Sequence, residues 1–365
     1  MPESEVPAHT ITAVPGLSAA AAGLPRPWLV ADIGGTNARF GWLADGAHSL
    51  GHVATLPAAG HPGPADAAAR YLADLAQTMG GAYRPPRAAA FAVATAVGSG
   101  RIAFTNSGWA FSRHDVQQTL GLDELLLLND FEALALSLPR LQPSQVRAWP
   151  SGAAHAGNAA TAQRLALAVI GPGTGLGVAG LVPARDGSWV AVPGEGGHAT
   201  LAAADDFDAA LLAAVWREYP HVSAERLLSG IGLPVLHGAV AAVLGRTAAP
   251  FASLASFAPL TTELIVERGL NGQCAVCSRT LDAFCALLGS FAGNVALVLG
   301  ARGGVYIGGG IVPRLGERFF QSPFRQRFDS KGRFQAYLRE IPTLLITDTL
   351  AALDGCVQAL EQQRR

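Results

Sequence analysis

Three short apolar runs in the sequence lead directly into glycine-rich turns, and this pattern restricts the possible folds more than any other feature. The turns lie at residues 32–37, 171–177 and 308–310. Glycine lets the main chain adopt positive φ and approach a ligand closely, and successive N–H groups can then surround anionic oxygens. One such turn is typical of many loops, but three that follow buried strands favour a phosphate-binding site.

The remaining pattern predicts a mixed α/β protein, because strands alternate with helices and hairpins. Predicted strands lie at 28–33, 37–43, 88–97, 101–106, 125–128, 165–170, 188–192, 303–307 and 344–347. Predicted helices lie at 65–79, 131–138, 205–218, 223–228, 263–299 and 350–363. The length of 365 residues suits two domains or one large domain. A Pro/Ser/Gly/Ala-rich stretch at 143–162 indicates a domain boundary near residue 140, and the proline-broken residues 1–27 are expected to form a disordered extension.

Lys331 is the only lysine, so arginine carries nearly all of the positive charge. A Walker A loop places its own lysine on the phosphates and a protein kinase needs one beside the nucleotide, so both classes are excluded. The net charge of −1 predicts no general attraction to nucleic acid or to a membrane surface. No run long enough for a membrane helix is free of charged residues, glycine and proline. The four cysteines are too few for a disulfide scaffold, so a cytoplasmic location is expected.

Asn129 and Asp130 come directly after the predicted buried strand 125–128. Open α/β sheets place their chemistry at the carboxyl ends of strands, so these polar residues are candidates for a functional role. An aspartate before a helix is also a common N-terminal cap. Position alone leaves both interpretations of Asp130 open.

Glu195 and His198 lie three residues apart in a second polar, glycine-rich segment. A carboxylate that accepts and an imidazole that can donate or accept suit neighbouring sugar hydroxyls. A metal site is less favoured, because no other His or Cys ligand pair lies nearby in the sequence. An exposed polar turn explains the same pattern equally well. Glu225 fits the first turn of a helix, and its burial cannot be inferred from the sequence.

Two further motifs are interpreted as structural. Cys274 and Cys277 form a C-x-x-C pair inside a helical run that also contains Cys285, with no second ligand pair and no thioredoxin-like unit beside it. Buried cysteines on one helix face are therefore favoured. Residues 175–180 match G-x-G-x-x-G, but that fingerprint must open a helix, and here the following residues are strand-like.

Considered in order, the motifs lie at 32–39, 105–112, 129–131, 171–177, 193–198, 221–226, 308–313 and 324–334. On these segments the chain resembles the bacterial glucokinases of the hexokinase/actin-like ATPase superfamily, from about residue 28 to about residue 347. The resemblance implies transfer of a phosphoryl group from ATP to the 6-hydroxyl of glucose. It implies that Asp130 is the general base.

The resemblance also implies the binding residues. Those implied for the sugar are Asn106, Asn129, Asp130, Glu195, His198 and Glu225. Those implied for ATP are Ala31, Asp32, Ile33, Gly34, Gly35, Thr36, Gly173, Thr174, Gly175, Gly177, Gly308, Gly309 and Gly310. Mg²⁺ is expected to arrive with ATP and to have no direct protein ligand, with Asp32 similar to the carboxylate that holds it through water.

The implied fold is an α/β, two-domain actin-like ATPase (ribonuclease H-like) fold with an interdomain active-site cleft. Residues 28–140 with 347–365 would form the small domain and residues 141–346 the large one, and a homodimer is expected. One departure is clear: family members often carry a Pro-Gly-Leu-Leu-Gly turn near the C-terminus, whereas residues 350–355 here read Leu-Ala-Ala-Leu-Asp-Gly. The start of the last helix therefore departs from the family pattern.

Three other functions remain to be weighed. A hexose kinase could prefer mannose, fructose or N-acetylmannosamine, or could use polyphosphate. A sugar-sensing regulator of the repressor/kinase family would carry a cysteine-rich zinc motif after His198, and no cysteine occurs at 199–204. It would also need an N-terminal helix-turn-helix, for which residues 1–27 are too short and too rich in proline. A non-catalytic sugar-binding module would not need Asp130 or the phosphate turns.

Overall fold

A computed structural model describes residues 24–95, 101–104, 108–150, 164–245 and 260–363 of the chain. Two sheets and a two-stranded ribbon organise these residues. The ribbon pairs β5 (Ile102–Ala103) with β6 (Ala110–Phe111), and its strands are antiparallel. The mixed α/β class is confirmed.

The first sheet has the strand order β3-β2-β1-β4-β7. Its strands are β1 (Trp28–Ile33), β2 (Asn37–Leu43), β3 (Gly51–Pro57), β4 (Ala88–Val93) and β7 (Glu124–Asn129). β1, β4 and β7 are parallel, and β1, β2 and β3 form an antiparallel meander. Every residue of β4 is buried, as expected for a parallel strand covered on both faces.

The second sheet has the strand order β11-β10-β9-β12-β13-β8. Its strands are β8 (Val146–Ala148), β9 (Leu167–Pro172), β10 (Leu176–Pro183), β11 (Trp189–Gly194), β12 (Gly304–Ile307) and β13 (Thr343–Ile346). β9, β12 and β13 are parallel, whereas β10, β11 and β8 run antiparallel to their neighbours.

Both sheets repeat one plan. In each, a buried strand (β1 or β9) pairs with a two-strand antiparallel meander on one side and with two parallel strands on the other, and the second sheet adds β8 at its edge. The first glycine turn joins β1 to β2, and the second joins β9 to β10. The two turns therefore occupy the same position in the two sheets, although the sequence shows no internal repeat.

The helices cover both faces of each sheet. They are α1 (Pro64–Met79), α2 (Arg113–Leu120), α3 (Asp130–Ser137), α4 (Asp206–Val215), α5 (Leu233–Val243), α6 (Thr262–Leu270), α7 (Ala275–Leu299), α8 (Val312–Leu315), α9 (Glu317–Gln321), α10 (Phe324–Asp329), α11 (Gln335–Arg339) and α12 (Ala351–Gln363). One outer core joins the first sheet to α1 and α2, and another joins the second sheet to α4–α11.

α3 and α12 lie between the two sheets and share one core with both. Trp28 and Val30 of β1 face this core, and so do Leu167 and Val169 of β9. Gly355 permits the contact between the helices, since a Cβ there would overlap the carbonyl oxygen of Ala133. The segment 350–355, which departs from the family turn, therefore ends in the glycine that lets α12 pack against α3. α12 itself begins at Ala351.

α7 is long and apolar enough to cross a membrane by length and composition. Two-thirds of its most apolar window is buried within the protein, as in the core helix of a soluble protein. Gly289 and Gly293 let α10 approach closely, because a Cβ at either position would press on the backbone of Phe324 or Phe328. Lys331 donates to the Ser290 carbonyl at 2.9 Å and to Asn294 at 2.7 Å, so the single lysine braces this packing.

The structure corrects three predictions. The helix predicted at 263–299 is two helices, α6 and α7, because the chain turns at Gly272, where φ is +74°. Residues 223–228 form turns rather than a helix, because the backbone of Ala224 and Glu225 pairs with Ala199 and Gly197 and cannot also close a helical ladder. The predicted extension 1–27 lies outside the described residues up to residue 23. From residue 24 the chain is already packed: Leu24 contacts the shared core, and Arg26 forms an ion pair of 3.3 Å with Glu361.

Candidate active site

Asp32, Asn129 and Asp130 lie at the carboxyl end of the first sheet. The parallel registers pair Asp32 with Ala92 and Asn129 with Val93, so β4 separates the two polar ends by one strand. This is the edge at which open α/β sheets bind their ligands. The interpretation of this edge as a site is therefore consistent with the topology.

Asn129 is the N-cap of α3. Its side-chain oxygen accepts from the Phe131 N–H at 2.9 Å, and its amide donates to the Thr95 carbonyl at 3.3 Å. The Glu132 carboxylate accepts from the Asn129 N–H at 3.3 Å, which completes a capping box. The N-cap of α3 is thus Asn129, so Asp130 is not needed as the cap.

Asp130 is the first residue of α3 and is half-buried. Its pKa is raised from 3.8 to about 6. Burial is the largest cause, the negative charges of Asp32 and Glu195 act in the same direction, and the hydrogen bond from the Phe131 N–H opposes them. A carboxylate with a pKa close to neutrality can accept a proton at physiological pH and release it again.

Asp32 pairs with Arg39 across the β1–β2 hairpin. The guanidinium donates to the carboxylate at 2.8 Å, and the two residues are direct cross-strand partners. Burial raises the pKa of Asp32, and Arg39 counteracts this effect. The charges of Asp32 and Glu195 both act on Asp130. Among the described residues these three carboxylates do not lie close enough together to ligate one ion directly, so they fit a Mg²⁺ ion that ATP brings and that the protein contacts through water.

Phe131 connects Asp130 to the second glycine turn. Its ring lies against Gly171 and Gly177, where an added Cβ would overlap the ring atoms. These two glycines face each other across the β9–β10 pair. The start of α3 is therefore packed directly on the hairpin that carries the second turn, and only glycine fits at both positions.

Glu225 is also tied to the second turn. Its carboxylate accepts from the Leu176 N–H at 2.8 Å, and a Cβ at Gly175 would overlap it. His198 lies 3.8 Å from the other Glu225 oxygen, with 60% of its side chain exposed. Glu195 directly follows β11, and its main-chain carbonyl accepts from the His198 N–H at 3.0 Å. Three of the predicted sugar-binding residues thus meet beside the second glycine turn.

A cavity of about 560 Å³ lies where the second and third turns meet. Its lining residues are Gly173, Thr174, Gly230, Ile231, Thr262, Glu263, Gly310, Ile311 and Arg314. The Gly230 N–H donates to the Gly173 carbonyl at 2.7 Å, and Gly309, at φ +76°, passes directly against Pro172. The volume suits a small ligand such as a nucleoside.

The predicted residues therefore separate into two groups. Gly173, Thr174 and Gly310 line the cavity, but among the described residues that line it none comes from the first turn. Residues 31–36 lie instead at the end of the first sheet, where the Gly34 N–H donates to the Asn37 carbonyl at 2.9 Å. Asn106 lies outside the described residues.

Several residues of the site were not predicted. Arg39 could have been found from its hairpin register with Asp32, since the predicted strand bounds already imply that pairing. Thr262, Glu263 and Arg314 carry no local signal. They reach the cavity only because α6 and α8 begin beside it, which is a property of the three-dimensional packing.

Comparisons with known proteins agree over nearly the whole chain. The family model described as Glucokinase matches residues 29–363. The glucokinase of Paramagnetospirillum magneticum is 46% identical over 327 residues, which cover 90% of this chain and 95% of that protein. The bifunctional protein glk of Burkholderia thailandensis is 43% identical over 337 residues, so that 92% of this chain spans 49% of that relative. The crystal structure of a glucokinase from an Antarctic psychrotroph aligns with a TM-score of 0.79 at 37% identity, covering 92% of this chain and 99% of that one.

Proposed function

The chain belongs to the glucokinase family, and we propose that Asp130 is the general base with which it transfers a phosphoryl group from ATP to the 6-hydroxyl of glucose. Family membership supports the activity, which is ATP-dependent phosphorylation of glucose to glucose 6-phosphate. One observation carries the role of Asp130: a half-buried carboxylate with a pKa near 6 stands at the start of α3, between the ends of both sheets.

The transition state of phosphoryl transfer is loose and rich in charge, so the protein contributes mainly positioning and electrostatic stabilisation. Asp130 accepts the proton of the 6-hydroxyl as the oxygen bonds to phosphorus. Glu195, His198 and Glu225, with Asn129 and Asn106, orient the sugar through its other hydroxyls. These polar atoms would be left unpaired by an analogue that lacks a hydroxyl, which is a source of selectivity.

Main-chain N–H groups of the glycine turns hold the phosphates. We assign this role to residues 31–36 in the first turn, to Gly173, Thr174, Gly175 and Gly177 in the second, and to residues 308–310 in the third. The cavity beside Gly173 and Gly310 takes the nucleoside. Mg²⁺ would arrive with ATP and reduce the negative charge on the phosphates, and we assign to Asp32 the contact with this ion through water.

We assign the chain a two-domain actin-like fold with the active site in the cleft. The support is the repeated strand plan of the two sheets and the shared α3–α12 layer between them. Residues 28–140 with 347–365 form the small domain, and residues 141–346 the large one. A cytoplasmic homodimer is proposed on family membership.

The substrate assignment is tested by measuring ADP release with and without Mg²⁺ over a panel of hexoses. We expect glucose to give the highest kcat/KM, with mannose, fructose and N-acetylmannosamine lower. Polyphosphate in place of ATP is expected to give little turnover. A preference for another hexose, or for polyphosphate, would contradict the assignment.

The pH profile tests the protonation state of Asp130. A general base must be ionised, and its pKa is raised to about 6, so kcat/KM is expected to fall tenfold per pH unit below about pH 6. An ordinary carboxylate would keep the rate constant down to about pH 4. In Glu195→Gln the acid limb is expected at lower pH, because the Glu195 charge raises the pKa of Asp130. An acid limb that stays below pH 5 in the unmodified protein would contradict the raised pKa of Asp130.

Glu195→Ala and His198→Ala test the sugar site. Each loses a hydrogen bond to the sugar, so KM for glucose is expected to rise about 10- to 100-fold while KM for ATP stays nearly constant. His114→Ala, on the exposed face of α2, serves as the control and is expected to change neither constant. The reverse pattern, with ATP affected and glucose not, would place these residues on the nucleotide side.

A further inference from the structure

The C-x-x-C pair has a third partner that the sequence did not reveal. His237 of α5 projects toward the start of α7, where Cys274 is the N-cap and Cys277 lies three residues further on. One ligand atom from each of the three residues lies within 4.8 Å of the other two. The sequence disfavoured a metal role because no second ligand pair was visible, and α5 supplies a single third ligand, His237.

The distance between the Cys277 sulfur and the His237 ring nitrogen fits a tetrahedral zinc ion. The Cys277 sulfur lies 3.6 Å from Nε2 of His237. Zn–S and Zn–N bonds of about 2.3 and 2.05 Å at a tetrahedral angle place the two ligand atoms about 3.6 Å apart. A thiol hydrogen bond to the imidazole has the same span, so a metal ion could replace the shared proton with little movement of α5 and α7.

The local charges also suit a soft divalent cation. Cys277 is buried, while Cys274 and His237 are half-buried, so solvent can reach the cluster from one side. Two thiolates and one Zn²⁺ are neutral together, which removes the cost of burying either charge alone.

We propose that His237, Cys274 and Cys277 bind one Zn²⁺ that fastens α5 to the N-terminus of α7, with solvent water as the fourth ligand. Binding releases the two thiol protons and involves no electron transfer. The Cys274 N–H donates to the Arg268 carbonyl of α6 at 3.3 Å. Because α6 begins with Thr262 and Glu263 in the wall of the cavity, the ion would steady that wall. The three ligands would bind the ion whether or not the glucose and ATP roles proposed above hold.

The rival interpretation is a disulfide between Cys274 and Cys277. A pair at a helix N-terminus is a common position for a redox-active disulfide. His237 distinguishes the two, since it is a ligand in the metal site and has no bond to make in a disulfide. The zinc proposal therefore predicts that His237 matters as much as either cysteine.

The test uses the full chain, reduced and stripped of metal with a chelator, and titrated with Co²⁺ and then with Zn²⁺. We expect one Co²⁺ per chain with a thiolate-to-cobalt charge-transfer absorption band, which Zn²⁺ abolishes by displacement. Saturating Zn²⁺ is expected to raise Tm by a few degrees. His237→Gln, Cys274→Ser and Cys277→Ser should each weaken Zn²⁺ binding by about 100-fold or more.

Cys285→Ala is the matched control, because this buried thiol lies on the same helix but outside the cluster. It is expected to bind Zn²⁺ normally. If a ligand variant fails to fold, the unmodified chain is instead alkylated with and without Zn²⁺. Bound Zn²⁺ is expected to protect Cys274 and Cys277 from alkylation, and a lack of protection would contradict the proposal. No thiolate–Co²⁺ band, normal Zn²⁺ affinity in a folded His237→Gln variant, or a Cys274–Cys277 disulfide whose reduced form binds no Zn²⁺ would each overturn the proposal.

Discussion

Replacing Asp130 with asparagine is expected to lower kcat by ~10²–10⁴, because the variant keeps the shape of the side chain but cannot accept the proton of the sugar hydroxyl. KM for glucose should change much less. The measurement is magnesium-dependent ADP release at saturating glucose and ATP. Near-normal turnover in a folded Asp130→Asn protein would show that another group, or none, takes the proton.

The stability of the same variant separates lost chemistry from lost folding. The folded-state pKa of Asp130 is raised above 3.8, so the stability it contributes is complete below pH 3.8 and is lost as the pH rises through about 6. At pH 7 the ionised carboxylate costs on the order of 3 kcal/mol of stability, and a neutral asparagine side chain carries no such cost. Asp130→Asn is therefore expected to keep or raise Tm while activity falls.

Glu132→Gln is the matched control for Asp130→Asn. It removes a carboxylate from the same helical turn, and glutamine can still complete the capping box with Asn129. Its kcat is expected to stay within a few-fold of the unmodified value. A loss as large as that of Asp130→Asn would mean that the start of α3, rather than the base, had been disturbed.

Gly355→Ala is expected to destabilise the protein by about 1–3 kcal/mol and to lower Tm by roughly 2–10 °C. A Cβ at Gly355 would overlap the Ala133 carbonyl, so α12 must move away from α3. The two helices join both sheets, and α3 begins with Asp130, so kcat should fall together with stability. Thermal unfolding and steady-state rates on the same sample measure both.

Gly81→Ala is the control for this prediction, because nothing lies within 4 Å of its added Cβ. Its stability is expected to stay within about 0.5 kcal/mol of the unmodified protein. If Gly355→Ala behaved like Gly81→Ala, the close approach of α12 and α3 would not be a requirement of the fold.

Local signals predicted much of this fold. The bounds predicted for the first hairpin, 28–33 and 37–43, are those of β1 and β2, because buried strands separated by a glycine turn leave few alternatives. The last helix was predicted within one residue of α12. β3 escaped prediction, since its residues are mostly exposed or half-buried and show no strong apolar pattern.

The errors arise where distant segments decide local structure. Residues 223–228 have helical spacing, yet their backbone is used by residues 197–200. The ring of Phe131 beneath Gly177, and His237 beside Cys277, are contacts between elements that are far apart in sequence. The proposed roles of Asp130, Glu195 and the glycine turns came from resemblance to a family rather than from such contacts.

The use of matching hairpin turns, one per sheet, has a consequence for how the nucleotide is held. Main-chain amides do not ionise between pH 5 and pH 10, whereas the ammonium group of a lysine begins to lose its proton toward the alkaline end of that range. Under the proposed roles, affinity for the triphosphate should remain level in alkaline solution where a lysine-based cradle would weaken. The pH dependence of the enzyme would then come almost entirely from Asp130 on the sugar side of the site.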